Sequence, residues 1–301
     1  MHRTIRYDSG IPRHTSFAGI AGMLLKAIGL LLFLWLLLGI DRSALLTQLR
    51  QTNLLLLTWS FLLLLLSYGL KVIRWHLLLR LVLPTVKFRY AWETYNIGTF
   101  LGLITPGKLG EFGRAGYLGR KGVAATTAAM LVILDRVFDV AVIALFSVVA
   151  VGVLFGTQWI IAGYTAVIVG IGVCALVAFA TRKKFPLVLL SRPFFLLNLL
   201  LLTALSWGMY CAWSVALAAS IGMHVEPLSF MSAIILTGII ALLPIAPSGL
   251  GTRDASLILL LRPLGVGASE AVALSFLMFL SIVASSLIGA WYWIKGVSTP
   301  R

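Results

Sequence analysis

The sequence predicts an all-α polytopic membrane protein, with about six full spans and two oppositely oriented re-entrant helical hairpins forming an inverted repeat. Three observations predict it. Hydrophobic residues make up 60% of the 301 positions and charged ones only 11%, with a mean hydropathy of +1.04; a soluble domain carries roughly 25% charged residues. Several apolar runs reach the length of about 20 residues that crosses a hydrocarbon core. Two short Pro- and Gly-broken stretches share Pro-x-x-Leu-Gly, at Pro106 and Pro247, followed at once by acid and arginine side chains. Repeated breakers carrying charge in hydrophobic surroundings point to a transporter-like site near the bilayer midplane.

The elements follow in order. Residues 1–19 read as a cytoplasmic N-terminal segment carrying Arg3, Arg6 and Arg13. The apolar run 20–40 is too long for a signal h-region and shows no convincing cleavage site, so it reads as a retained span. Further spans fall at 54–73, 127–152, 159–180, 194–220 and 269–294. Two apolar stretches, 91–104 and 230–243, are too short to cross alone and run into Pro106 and into Pro244 and Pro247. Stretches of that length suit re-entrant segments, giving hairpins over about 91–120 and 230–262. Residues 20–295 thus read as one transmembrane domain and 296–301 as a cytoplasmic tail.

The net charge of +15 lies mostly in loops between apolar runs, which is the positive-inside signal. Nucleic acid is therefore excluded as a partner. Arg80, Lys87 and Arg89, then Arg182, Lys183, Lys184 and Arg192, mark inner loops, whereas 155–158 has no charge and 221–229 carries only His224 and Glu226. Lys295 and Arg301 return the C-terminus inside. The expectation is a multi-pass protein of the cytoplasmic membrane with both termini cytoplasmic. This count closes only if each short stretch enters and leaves on one side, the first from the cytoplasm and the second from outside, as an inverted repeat requires. Gly122-Val123-Ala124-Ala125 and Gly265-Val266-Gly267-Ala268 extend the repeat, 143 residues apart (265 − 122) against 141 for the motifs (247 − 106).

Helix breaks survive in hydrocarbon only beside protein or water, so each hairpin implies a lined cavity. Helices opening near Glu111 and near Thr252 would present N–H groups suited to phosphate or carboxylate. Pro106, Gly107, Gly110, Ser248, Gly249 and Gly251 form the broken tips, the glycines allowing close backbone approach. Lys108 adds a point charge; Arg114 pairs with Glu111 at i,i+3 or grips a phosphodiester. Arg253 and Asp254 offer the same chemistry from the opposite leaflet. The competing reading has these charges snorkelling at the lipid interface.

A third cluster is Asp135, Arg136 and Asp139, with both acids on one helix face and Arg136 within i,i+3 reach of Asp139. Either 123–155 is one helix with these charges about two turns inside, where they serve as counter-ions or proton carriers, or 123–134 lies along the surface and 137–155 spans alone. Lys71, Arg74 and Trp75 read as an interfacial anchor closing the second span, with a cavity-facing Arg74 as the alternative, meeting a lipid headgroup.

Cys174 and Cys211 lie in apolar runs and read as small core residues. His2, His14, His76 and His224 have no metal-ligand spacing, and neither a nucleophile elbow nor a P-loop is present. No cofactor, metal or catalytic residue is implied.

At Arg74-Trp75, Pro106-Gly107-x-x-Gly110-Glu111-x-x-Arg114, Asp135-Arg136 with Asp139, and Pro247-Ser248-Gly249-Leu250-Gly251-Thr252-Arg253-Asp254, the chain resembles the lysylphosphatidylglycerol synthase transmembrane-region family, also called flippase-like. The family more often has Glu at positions 135 and 254, a swap that keeps the charge. The resemblance implies a helical fold with two re-entrant hairpins and a role in moving a lipid with a phosphate headgroup. Stand-alone relatives look like translocators of anionic lipids, aminoacylated lipids or polyprenyl-phosphate-linked sugars. Fused members carry an aminoacyl-transferase domain, and the expectation is that this activity is not encoded before Arg301. Two competing functions are a membrane-embedded lipid-phosphate transferase and a non-transporting subunit assisting a lipid synthase or glycosyltransferase; a homodimer is a further partner to consider.

Overall fold

The computed structural model describes residues 50–105, 108–161, 163–165, 192–241 and 252–297, which are helices and connecting turns without a strand. In chain order the helices are α1 (Leu54–Leu79), α2 (Phe88–Ile104), α3 (Gly113–Gly119), α4 (Ala125–Phe155), α5 (Pro193–Ser220), α6 (Pro227–Ile240), α7 (Thr252–Leu261) and α8 (Ala268–Lys295). Short 3₁₀ turns, Leu109–Phe112 and Arg262–Leu264, precede α3 and follow α7. Among the described residues, α1, α4, α5 and α8 are long and apolar enough to cross a membrane. They coincide with the expected spans at 54–73, 127–152, 194–220 and 269–294. The span at 20–40 and most of that at 159–180 lie outside the described residues.

Local chemistry sets the boundaries. Asn53 caps α1, its side chain accepting from the N–H groups of Leu55 and Leu56 at 3.0 and 3.2 Å and so satisfying two orphan donors of the first turn. α5 and α6 open on Pro193 and Pro227, whose fixed φ and missing N–H suit a first turn. α4 is one continuous helix of 31 residues, so the alternative with 123–134 lying separately is overturned. Nothing in 123–134 breaks it: the stretch is rich in Ala and Leu and has no Pro.

α1 and α5 run antiparallel. Asn53 N–H donates to the Ser220 carbonyl at 2.7 Å, and Ser67 Oγ donates to the Ser206 carbonyl at 2.8 Å. Two apolar clusters bracket this pair. One joins the start of α1 (Leu64) to the end of α5 (Trp213, Leu217), with Phe230, Leu257 and Leu274 of α6, α7 and α8. The other joins the end of α1 (Trp75, Leu78) to the start of α5 (Leu199), with Tyr95, Leu118 and Leu131 of α2, α3 and α4. Charged residues fill the layer between.

α2 ends at Thr105, whose extended backbone (φ −115, ψ 145) is what a following proline demands. The chain then turns back on α2. Thr105 Oγ1 donates to the Leu101 carbonyl at 2.8 Å and accepts the Gly110 N–H at 2.7 Å. A Cβ at Gly110 would sit 2.1 Å from the Leu101 carbonyl oxygen, so only glycine fits the return. α2 also crosses α8 closely, where a Cβ at Gly289 would lie 1.9 Å from the Asn96 carbonyl oxygen.

Candidate functional site

The buried charges meet in one network. Arg74, fully buried on α1, donates Nε to Asp135 Oδ1 at 2.8 Å, and Nη1 and Nη2 to the two oxygens of Asp139 at 2.9 and 3.0 Å. Its Nη1 also reaches Thr203 Oγ1 on α5 at 2.8 Å. Arg114 on α3 donates to the second oxygen of Asp135 at 2.6 Å. Its guanidinium lies between aromatic faces, 4.2 Å from the Trp75 ring centroid and 5.2 Å from that of Tyr95, where cation–π attraction replaces lost hydration. Asp135 is fully buried, and these two guanidinium groups supply the pairing that a buried carboxylate needs.

Arg136, next on α4, bonds Glu111 of the 3₁₀ turn at 2.6 Å, with Asp139 3.6 Å and Asp135 3.7 Å away. The expected Glu111–Arg114 contact is present but long, at 4.0 Å, because Asp135 has taken that guanidinium. Lys71 stands 3.7 Å from Asp139 and 5.1 Å from the Trp207 ring centroid.

Arg253 and Asp254 at the start of α7 pair with each other at 3.0 Å. Asp254 also accepts from the Ser275 hydroxyl of α8, and Arg253 donates to the Ser275 carbonyl at 3.2 Å. Glu111, Arg114, Arg253 and Asp254 are buried within the protein, which replaces the snorkelling reading for these four, whereas Lys108 is exposed. The anchor reading of Arg74 and Trp75 is corrected likewise: both are at 0% exposure, because α1 continues past them to Leu79.

A cavity of about 140 Å³ opens beside this network. Lys71, Lys108, Glu111, Arg136, Asp139 and Arg253 supply its charged lining, and Tyr68, Tyr95, Trp207, Tyr210 and Thr237 its aromatic and hydroxyl lining. The lining positions of α1, α4, α5 and α8 all fall in the interior of those helices, on the order of 12–29 Å from either end at 1.5 Å per residue. Four cations face two carboxylates there. Arg74, Arg114 and Asp135 sit behind the cavity wall and orient the groups that line it.

Lys108 holds a left-handed backbone (φ 57), the one described residue other than glycine with positive φ. Such a conformation costs a side-chain-bearing residue about 1–2 kcal/mol, and strain of this kind gathers at functional positions. Of the expected site, Lys108, Gly110, Glu111, Arg114, Arg74, Asp135, Arg136, Asp139, Arg253 and Asp254 converge on this region. Pro106, Gly107, Ser248, Gly249 and Gly251, with the tip of the second hairpin, lie outside the described residues. The sequence reading missed Tyr68, Tyr95, Thr203, Trp207, Tyr210 and Thr237. The available signal was a tryptophan at mid-span, away from the interfacial belts where Trp is usual.

Comparison with curated proteins and with solved structures returns no match. The family described as "Lysylphosphatidylglycerol synthase TM region" matches residues 20–289, nearly the whole chain and every helix of the site. With its apolar helices, that match marks a membrane protein tied to lipid metabolism or translocation. The chain belongs to the lysylphosphatidylglycerol synthase transmembrane-region family.

Proposed function

We propose that this protein is a lipid translocator that admits a phosphate-bearing headgroup to the cavity between α1, α2, α4, α5, α6, α7 and α8. One observation carries the reading: a polar cavity with more cations than carboxylates in the interior of four span-length helices. Ionisable groups are costly at membrane depth and mark ion or substrate pathways. A phosphate offers the negative charge this lining lacks, and Lys108, Arg136 and Arg253 are the side chains assigned to it. The sharp return after Thr105 and the short α2 support a re-entrant hairpin over 91–120, with its partner over 230–262. The loop charges support a cytoplasmic membrane with both termini inside.

The test is transbilayer movement of fluorescent phospholipid or polyprenyl phosphate in proteoliposomes. Movement above empty vesicles, reduced by Arg136→Ala, is the expected result. No movement with any of several anionic lipids would refute the proposal. A transferase would instead leave a chemically altered lipid, visible by mass spectrometry. A non-transporting subunit would bind its synthase or glycosyltransferase partner with no lipid movement of its own.

A further inference from the structure

Resting on that reading, we infer that the site selects headgroups bearing neutral hydroxyls, a glycerol or a sugar on the phosphate, and rejects headgroups carrying an ammonium group. Asp139 is held by the fork of Arg74 at 2.9 and 3.0 Å, and Glu111 by Arg136 at 2.6 Å. Both Asp139 oxygens are thus held, one Glu111 oxygen is taken, and Lys71 at 3.7 Å from Asp139 already supplies the ammonium on that side. The same lining presents Lys71, Lys108, Arg136 and Arg253, and a cation placed among four others is repelled by all of them.

The groups left over tell the complementary half. Trp207 Nε1 and Thr237 Oγ1 are buried and have no hydrogen-bond partner among the described residues. Both residues line the cavity, and Thr237 is only 3% exposed. Arg136 Nε, on the cationic side, is a third such atom in the cavity lining; most buried polar groups are partnered, so these orphans call for a partner from beyond the described residues. A hydroxyl supplies it, since its oxygen accepts from the indole N–H and its proton reaches the threonine oxygen. Trp207 and Tyr210 stack edge to face with ring centroids 5.4 Å apart, giving an apolar wall for the C–H face of a polyol. The cavity thus divides into a cationic side for phosphate and an α5–α6 side for hydroxyls.

The experiment is native mass spectrometry of the full chain in mild detergent, offered an equimolar mixture of four lipids. These are phosphatidate, phosphatidylglycerol, a polyprenyl-phosphate sugar and lysylphosphatidylglycerol. The expected result is retention of a hydroxyl-bearing lipid about tenfold above the aminoacylated one and about threefold to tenfold above phosphatidate. Whichever of the glycerol and sugar arms dominates identifies the source. Trp207→Phe combined with Thr237→Val lowers the ratio to phosphatidate toward one, and Thr237→Ser, which keeps the hydroxyl, preserves it. Equal or better retention of the aminoacylated lipid, or an unchanged ratio in the double variant, would overturn the inference. Equal retention of all four would overturn this inference and leave the phosphate site standing, whereas retention of none would overturn the phosphate site with it.

Discussion

Arg74 grips Asp139 through two parallel hydrogen bonds, Nη1 to Oδ1 at 2.9 Å and Nη2 to Oδ2 at 3.0 Å. Its remaining Nε is turned on Asp135 at 2.8 Å. One planar guanidinium therefore spans two carboxylates a helical turn apart, which a lysine ammonium cannot do.

Arg74→Ala leaves two acids buried, with Asp135 keeping Arg114 at 2.6 Å and Arg136 at 3.7 Å, both on one oxygen. Breaking a buried pair from one side costs about 3–5 kcal/mol. Thermal unfolding in detergent should show a large loss, and Arg74→Lys should recover only part of it because the fork is gone.

Glu111 and Arg136 are joined at 2.6 Å between the 3₁₀ turn and α4. Glu111→Gln and Arg136→Gln should each destabilise, while the double variant should cost less than the sum of the two. The expected coupling is about 1–3 kcal/mol, measurable as a double-mutant cycle of unfolding free energies.

Lys108→Gly should pull stability and activity apart. Relief of the left-handed strain should raise unfolding stability by up to about 1 kcal/mol, while lipid movement falls with the lost cation. Opposite changes in melting temperature and transport rate would be the signature.

Gly110→Ala places a methyl 2.1 Å from the Leu101 carbonyl oxygen, a backbone atom that cannot swing aside. The return onto α2 must open, at a cost of about 1–3 kcal/mol or more. A cysteine at Leu109 should then react faster with a water-soluble maleimide than it does without the alanine.

Glu226 caps α6, accepting from the N–H groups of Leu228 and Ser229 at 2.8 and 2.6 Å. Those backbone bonds hold its carboxyl below the usual glutamate range. A depressed folded value makes the contribution fully present above about pH 4.3, and it is lost as pH falls through the folded value. Glu226→Gln should therefore lower the melting temperature near neutrality, with the difference from the parent chain shrinking in acid.

The four span-length helices were legible because apolar runs of that length suit a bilayer and little else. Asp135, Arg136 and Asp139 stood out as charges in such a run. Their partners did not. Arg74 lies 61 and 65 positions from the two aspartates, and only the approach of α1 to α4 decides which guanidinium each acid receives. α5 is apolar nearly all round, so its sequence marks no inward face that would single out Trp207 and Tyr210. Pro106 announced a break and a return after α2, but not that the Thr105 hydroxyl would hold that return by accepting the Gly110 N–H.

The order of synthesis gives the buried charge layer a consequence for biogenesis. α4 brings Asp135, Arg136 and Asp139 into the bilayer on a single segment, a costly load for insertion. The ion partners those residues use on other described elements, Lys71, Arg74, Glu111 and Arg114, have all left the ribosome before α4 does. The nascent chain thus holds the neutralising groups ready at the moment of insertion, and α5 adds the Thr203 hydroxyl afterwards.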